Sequence, residues 1–426
     1  MITRIFSGPA FPLAFLINGS FFYFAFFHII GAKPNPYLTG GYYCALIGWA
    51  FFVLIKKDRH VSFRFHYIDL FFFLFIFFIF ASFILRGLEG NQKQLIYLFV
   101  FVLFPYVCGR LISLSDVALF LSAIFLIGVV GLILAAIDTI VEWNDVMSWV
   151  RPFFFGFNHT TLLVGFLLGS IILLSTFYFM LSEKQLFGFR STLVFWGILL
   201  ISVGSLIFIK CRGVLIATLV ISICGCILLY WVSWKRRIVV ALGLVGLVVF
   251  FFNIMPSSLC FIRQAKKTVE FGMSIPEVSS PESLNIYENS LAMRFLLWNE
   301  ATRMFAENPI IGVGAGCFAD HSTIENAFPH STIIQSLAEL GILGASLFLI
   351  YVAQIFFSMV IMFRYGRYEY SLQKKSVLIF SLWFFYFMID QIYGDYLRNI
   401  AFTILSGMSV SMIVYAKDNQ IILDDA

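Results

Sequence analysis

Three basic side chains in this sequence have chemistry that could act together. They are Arg212 in the turn "IKCRG" (209–213), Arg294 in "SLAMRFLLWNEATRMFAEN" (290–308), and His330 in "AFPHSTIIQSLAELGILG" (327–344). A guanidinium binds phosphate oxygens through paired, charge-assisted hydrogen bonds and can hold the charge that grows on a leaving pyrophosphate. An imidazole titrates near neutrality, so it can take a proton from an attacking sugar hydroxyl. Two arginines and a histidine opening beside lipid would suit a diphosphate-linked lipid. Each has a plainer reading. Arg212 and its neighbour Lys210 could snorkel into head groups, Arg294 could balance Glu300 or Glu288, and His330 could cap the helix that follows it.

Below His330 the spacing continues the pattern. Ser331, Gln335 and Glu339 recur at i, i+4 and i+8 and line one face of an otherwise apolar helix. A carboxylate at mid-membrane costs about 3 kcal/mol unless it is paired or solvated, so this stripe should face a protein interior or a wet cavity. The alternative is that Glu339 pairs with an arginine to hold the fold. Gly341 and Gly344 would then admit a neighbouring helix. Asp390, Asp395 and Arg398 in "DQIYGDYLR" (390–398) would complete a polar pocket or satisfy helix ends, and Asn158 and His159 are weaker candidates of the same kind. The external segments hold no Asp-x-Asp pair for a divalent cation, which makes arginine the natural substitute; no metal or other cofactor is expected.

These residues need elements to position them. Of 426 residues 61% are hydrophobic and 12% charged, which points to a polytopic membrane protein rather than a string of soluble domains. Long apolar windows, each near the ~20 residues that cross a hydrocarbon core, recur at 9–31, 38–55, 68–85, 94–109, 117–137, 160–181, 191–208, 213–233, 238–255, 333–362, 376–390 and 399–416. The fold expected is therefore all-α, with about 12 transmembrane helices. Arg4 precedes the first window, which stays apolar too long for a signal peptide and reads as one uncleaved helix. Basic runs at 56–65, 183–190, 235–237 and 364–375 alternate with poorly charged connections, which places both termini in the cytoplasm. The net charge of +5 follows from this bias, and no nucleic-acid partner is implied.

The same topology puts one long loop, 256–332, on the outer face, between transmembrane helices 1–9 (1–255) and 10–12 with a short tail (333–426). Its first part, 256–289, is polar and Pro/Ser-rich and should be lid-like. In 290–308, Leu291, Leu297, Trp298, Ala301, Met304 and Phe305 recur at near-helical spacing, so a helix resting on the membrane surface is expected. Pro309 ends it. The glycine-rich "IIGVGAG" (310–316) lacks the βαβ surroundings of a nucleotide loop and reads as a close-packing turn. Seven cysteines give no framework; Cys260 and Cys317 could be bridged, or could be buried thiols. Nearly bare apolar windows before the loop, and halves without self-similarity, count against an ion-coupled transporter.

In order and type, "KCRG", "AMRFLLWNEATRMFAENPIIGVGAG" and "PHSTIIQSLAELGILG" resemble the three hallmark segments of the bacterial O-antigen ligases and the wider ligase/polymerase superfamily, over about 205–350. The resemblance implies a metal-independent membrane glycosyltransferase of the C type in the bacterial inner (cytoplasmic) membrane, with its active site facing the periplasm. The donor implied is an undecaprenyl-diphosphate-linked glycan. Arg212 and Arg294 would bind the diphosphate, and His330 would be the base or an essential polar group near the acceptor. Glu339 falls in the same motif, and Ser331 stands where asparagine is common. Ligases of this kind transfer to lipid A–core oligosaccharide, polymerases to another lipid-linked repeat, and related enzymes to pilin. Ligase is the reading adopted, with polymerase as the alternative. The first external loop, "AKPNPYLT", offers no acidic residue of the sort a metal-dependent oligosaccharyltransferase needs. A lipid-linked oligosaccharide flippase, which binds the same diphosphate without chemistry, would need a charged path through the membrane.

Overall fold

A computed structural model of the chain describes residues 6, 8–33, 35–56, 63–86, 92–141, 160–181, 192–209, 211–229, 234–254, 290–324, 328–365 and 370–418. Among the described residues each apolar window falls mainly on helix, and no strand occurs. In chain order the helices are α1 (Ala10–Asn18), α2 (Ser20–Ile29), α3 (Pro36–Lys56), α4 (Tyr67–Arg86), α5 (Gln92–Arg110), α6 (Leu114–Val141), α7 (Thr160–Leu181) and α8 (Thr192–Phe208). They continue as α9 (Arg212–Leu228), α10 (Trp234–Ile254), α11 (Ser290–Glu307), α12 (Phe318–His321), α13 (Thr332–Tyr365), α14 (Tyr370–Tyr393) and α15 (Ile400–Asp418). Eight are long and apolar enough to cross a membrane, or nine spans if the bent pair α1–α2 is counted as one; α8, α9 and α10 carry shorter apolar stretches. Among the described residues the fold is all-helical, with the multiple apolar helices of a multi-pass membrane protein.

The first apolar window, expected as a single helix, is broken: α1 and α2 meet at Gly19 with a bend of 71°. The Gly19 amide still donates to the Phe15 carbonyl at 2.7 Å, but a Cβ on Gly19 would come within 2.3 Å of that oxygen. Only glycine permits so tight a turn at that point.

Helix α4 serves as a ruler for the bundle. Near its start, Asp69 is wholly buried and accepts from Arg110 Nε at 2.8 Å and from the Tyr106 hydroxyl at 2.7 Å. Removing one partner of such a pair costs about 3–5 kcal/mol, because the other charge is left buried alone. At the same end Arg64 pairs with Asp418 at 2.6 Å and Lys417 lies over the Tyr67 ring. Three to four turns further along α4, roughly 20 Å away by helical rise, Ser82 Oγ accepts the Ala315 amide at 2.9 Å. Arg64 and the end of α15 therefore lie at the end of the bundle opposite the glycine-rich loop.

Small residues let the central helices close up. Where α15 crosses α5, a Cβ on Gly109 would stand 2.2 Å from the Ile404 carbonyl oxygen, and one on Gly407 would stand 2.3 Å from that of Tyr106. Membrane helices pack by such backbone proximity because lipid gives them no hydrophobic reason to associate.

Candidate functional site: the loop helix, the broken helix α13 and the turn after α14

Helix α11 holds the glycine-rich loop against α13. Its stripe of Leu297, Ala301 and Met304 is buried together with Val313, Phe318 and Ala338, so much of its apolar face meets protein. After Pro309 the chain turns back and enters a break in α13 at Gly341, where φ is 62° and ψ −165°. The amides freed by the break are taken up by the loop: Ile342 N donates to the Pro309 carbonyl at 2.8 Å and Leu343 N to that of Ile310 at 3.3 Å. In return Val313 N donates to the Ala338 carbonyl at 3.0 Å and Gly314 N to that of Glu339 at 2.8 Å. Interrupted helices persist at membrane depth only where protein satisfies the freed groups in this way. Glycine is required on both sides of the contact. A Cβ on Gly312 (φ +70°) would lie 2.3 Å from the Glu339 carbonyl carbon, and one on Gly341 would lie 2.4 Å from that of Ile310. Gly341 thus admits the loop backbone rather than a helix, whereas Gly344 faces Phe78 of α4.

Glu339 closes this junction. Its carboxylate, 1% exposed, accepts from the Tyr396 hydroxyl at 2.5 Å, Gly316 N at 2.8 Å, Phe318 N at 3.2 Å and Gln335 Nε2 at 3.3 Å. These four donors account for the lone pairs of a carboxylate. The carboxylate faces the protein interior, as expected of the stripe, and its partners there are a tyrosine, a glutamine and two backbone amides rather than the arginine of the alternative reading.

His330 stands at the entrance to α13 in a left-handed conformation, φ +55°, the only non-glycine residue with positive φ among those described. Such a backbone is sterically costly, though less so for histidine than for branched residues, and it persists where the surroundings over-determine it. Here the preceding carbonyl, that of Pro329, is pinned by Trp298 Nε1 of α11 at 2.9 Å. The imidazole lies against Phe328, ring centroids 4.2 Å apart, and its Nδ1 is buried without a hydrogen-bond partner among the described residues. Burial first, and the charge of Arg294 second, push the imidazole down to about 4. It is neutral at pH 7.

Arg294, one α11 turn before Trp298, extends its guanidinium over the ring of Tyr393 at the end of α14, 5.1 Å from the centroid. It is not balanced by Glu300, whose carboxylate is taken by Arg303 at 2.9 Å and by the Thr323 hydroxyl at 3.1 Å. Glu288 lies outside the described residues. On its other side Tyr393 meets the start of α9: a Cβ on Gly213 would be 3.0 Å from both the ring edge and the hydroxyl oxygen. Gly213 follows Arg212, the first residue of α9. The structure therefore brings Arg294 and the backbone at Gly213, next to Arg212, to one tyrosine, and the charge of Arg294 reaches His330. Lys210, Asn158, His159 and Cys260 fall outside the described residues.

The turn between α14 and α15 braces the same region. Asp390, 8% exposed, accepts from the Asn399 side chain. Asp395 accepts from Gln335 Nε2 at 3.3 Å and pairs with Arg398 at 3.3 Å, while Arg398 lies 4.8 Å over the Tyr97 ring. Burial pushes the Asp395 carboxyl up, against the pull of the Leu397 amide, Arg398 and Gln335. Ser331 bonds through its hydroxyl to Gln391 at 3.1 Å, and the same amide oxygen accepts Ile333 N at 3.2 Å, so α13 is tied to α14 just below His330. Asp390 and Arg398 thus pair with Asn399 and Asp395 close by in sequence.

Residues 197–349 match the family model described as O-Antigen ligase. That segment belongs to the O-antigen ligase/polymerase superfamily. No curated protein matches the chain. The superfamily domain contains Arg212, Arg294, His330 and Glu339, together with both sides of the loop–helix junction. Members of that superfamily are membrane glycosyltransferase-like ligases and polymerases.

Several residues that complete the site had no signal in the sequence motifs. Tyr393 and Tyr396 lie beyond the superfamily domain, in the turn where only charged residues stood out. Trp298 was visible only as part of the apolar stripe of 290–308. An amphipathic aromatic at a helix end, with a ring to bury and a polar tip to place, is the general cue for such residues.

Proposed function

We propose that the chain is an O-antigen ligase, transferring a glycan from undecaprenyl diphosphate to a sugar hydroxyl of lipid A–core oligosaccharide at the periplasmic face of the bacterial inner membrane. The observation that carries this reading is that Arg294 and the first turn of α9 meet at Tyr393 while the charge of Arg294 bears on His330. In the reaction the acceptor oxygen attacks the anomeric carbon from the face opposite the leaving group. The carbon–oxygen bond to the diphosphate breaks, its electron pair departs with the lipid diphosphate, and the configuration inverts. Arg294 and Arg212 bind the diphosphate and hold the charge it gains. His330 accepts the hydroxyl proton.

The low affinity of His330 for a proton supports a coupling between the two roles. Arg294 is the charged neighbour that, after burial, keeps the imidazole neutral. A diphosphate bound to Arg294 offsets that charge and makes protonation of the imidazole easier once donor is present. Gln335 and Glu339 support the site indirectly, by holding the loop and the turn after α14 in place.

Polymerisation of lipid-linked repeats uses the same donor chemistry and differs only in the acceptor. Purified protein in liposomes with lipid-linked glycan alone separates the two. No glycosidic product until lipid A–core is added supports the ligase, and lengthened lipid-linked glycan without it supports the polymerase. Movement of labelled lipid across the bilayer without any product would favour a flippase.

A further inference from the structure

Tyr393 belongs to none of the motifs, yet its ring separates the two elements that carry the arginines. We propose that Tyr393 is a positioning residue for the donor site: its ring fixes the Arg294 guanidinium and, through contact with Gly213, sets the distance between Arg294 and the start of α9. The inference rests on the donor-site reading above.

How Arg294 is held matters chemically. A guanidinium that must bind phosphate needs orientation, but a carboxylate partner would occupy the same N–H groups that the phosphate requires. An aromatic face orients the cation by its quadrupole and leaves those donors at the plane's edge free. The carboxylates nearest along α11, Glu300 and Glu307, both bond to Arg303 instead. The ring itself is held from behind: Phe166 of α7 packs on it at 6.3 Å, and it closes on Gly213 so nearly that a Cβ there would press on it at 3.0 Å. A side chain so confined can transmit a fixed separation between α11 and α9. A more flexible one could not.

The test is donor kinetics in proteoliposomes with lipid-linked glycan and lipid A–core. Tyr393→Leu is expected to raise KM for the donor about 10-fold, within the range of a partly desolvated cation–π contact, with KM for the acceptor unchanged. Tyr393→Phe keeps the ring and recovers most of the donor affinity. Arg294→Ala combined with Tyr393→Leu is no worse than Arg294→Ala alone, since both remove one interaction. Gly213→Ala, whose Cβ meets the ring 3.0 Å away, raises the donor KM in the same direction and stands in if Tyr393→Leu does not fold. Wild-type donor KM in Tyr393→Leu, or in Gly213→Ala where Leu fails, with Arg294→Ala inactive, overturns the role of Tyr393 alone. A loss in Tyr393→Phe as large as in Tyr393→Leu also overturns it, because the hydroxyl would then be responsible. Wild-type rates in Arg294→Ala overturn the donor-site reading itself.

Discussion

The Arg294 guanidinium stacks 5.1 Å above the ring centroid of Tyr393, joining the helix of the long loop to the last residue of α14. This contact orients a cation without consuming its hydrogen-bond donors. It predicts that charge alone is not enough at position 294. Arg294→Lys keeps the charge but loses the planar fork and its stacking, so kcat/KM should fall about 100-fold, on the scale of removing one transition-state donor. Steady-state rates with saturating acceptor check it; activity within two- to three-fold of wild type would contradict it.

His330 makes separable predictions about rate and stability. Asparagine tolerates the left-handed backbone at φ +55° but cannot take a proton at neutral pH. Transfer by His330→Asn should drop at least ~100-fold, with the melting temperature in detergent little changed. The imidazole is lowered from 6.5 to about 4 in the folded chain. Between those values the unfolded chain therefore carries a proton that the folded chain lacks. The stability due to this group is complete above pH 6.5, declines as pH falls toward 4, and is flat below that. His330→Asn should show a shallower loss of stability across this window. An unchanged slope would mean that the imidazole is not held neutral.

At the loop–helix junction, loss of stability should outrun loss of chemistry. Glu339→Gln replaces one acceptor oxygen with an amide NH2 facing bound donors, which leaves buried groups unsatisfied at about 1–3 kcal/mol each. Gly341→Ala forces a Cβ to within 2.4 Å of the Ile310 carbonyl carbon at φ +62°, and should destabilise by more than about 3 kcal/mol. Thermal unfolding in detergent measures both. Turnover per folded molecule should stay close to wild type for Glu339→Gln. A 100-fold loss of turnover with an intact melting temperature would instead make Glu339 part of the reacting group.

Much of this arrangement was legible from spacing alone. Helical periodicity put Ser331, Gln335 and Glu339 on one face, and the structure finds all three buried and bonded across to Gln391, Asp395 and Tyr396. What periodicity misses is a partner at long sequence separation. Tyr396 lies 57 residues from Glu339, and Gln391 lies 60 from Ser331. The breaks at Gly19 and Gly341 were hidden for a related reason. Apolar runs read as continuous helix whether or not the backbone bends, and only the neighbour filling the gap, the Phe15 carbonyl or the loop after Pro309, shows why glycine stands there. For Arg294 a carboxylate was the natural guess, since Glu300 lies six residues on. The structure gives that carboxylate to Arg303, three residues from it on the same helix.

The central claim, that the cation at 294 binds the donor's diphosphate for glycan transfer, is most directly tested by comparing Arg294→Ala with Arg303→Ala in proteoliposomes supplied with undecaprenyl-diphosphate glycan and lipid A–core. Arg303 lies on the same helix but pairs with Glu300 and Glu307 at the surface. The expected result is transfer reduced about 1,000-fold or more in Arg294→Ala and near wild type in Arg303→Ala. Equal transfer by Arg294→Ala and wild type would contradict the account.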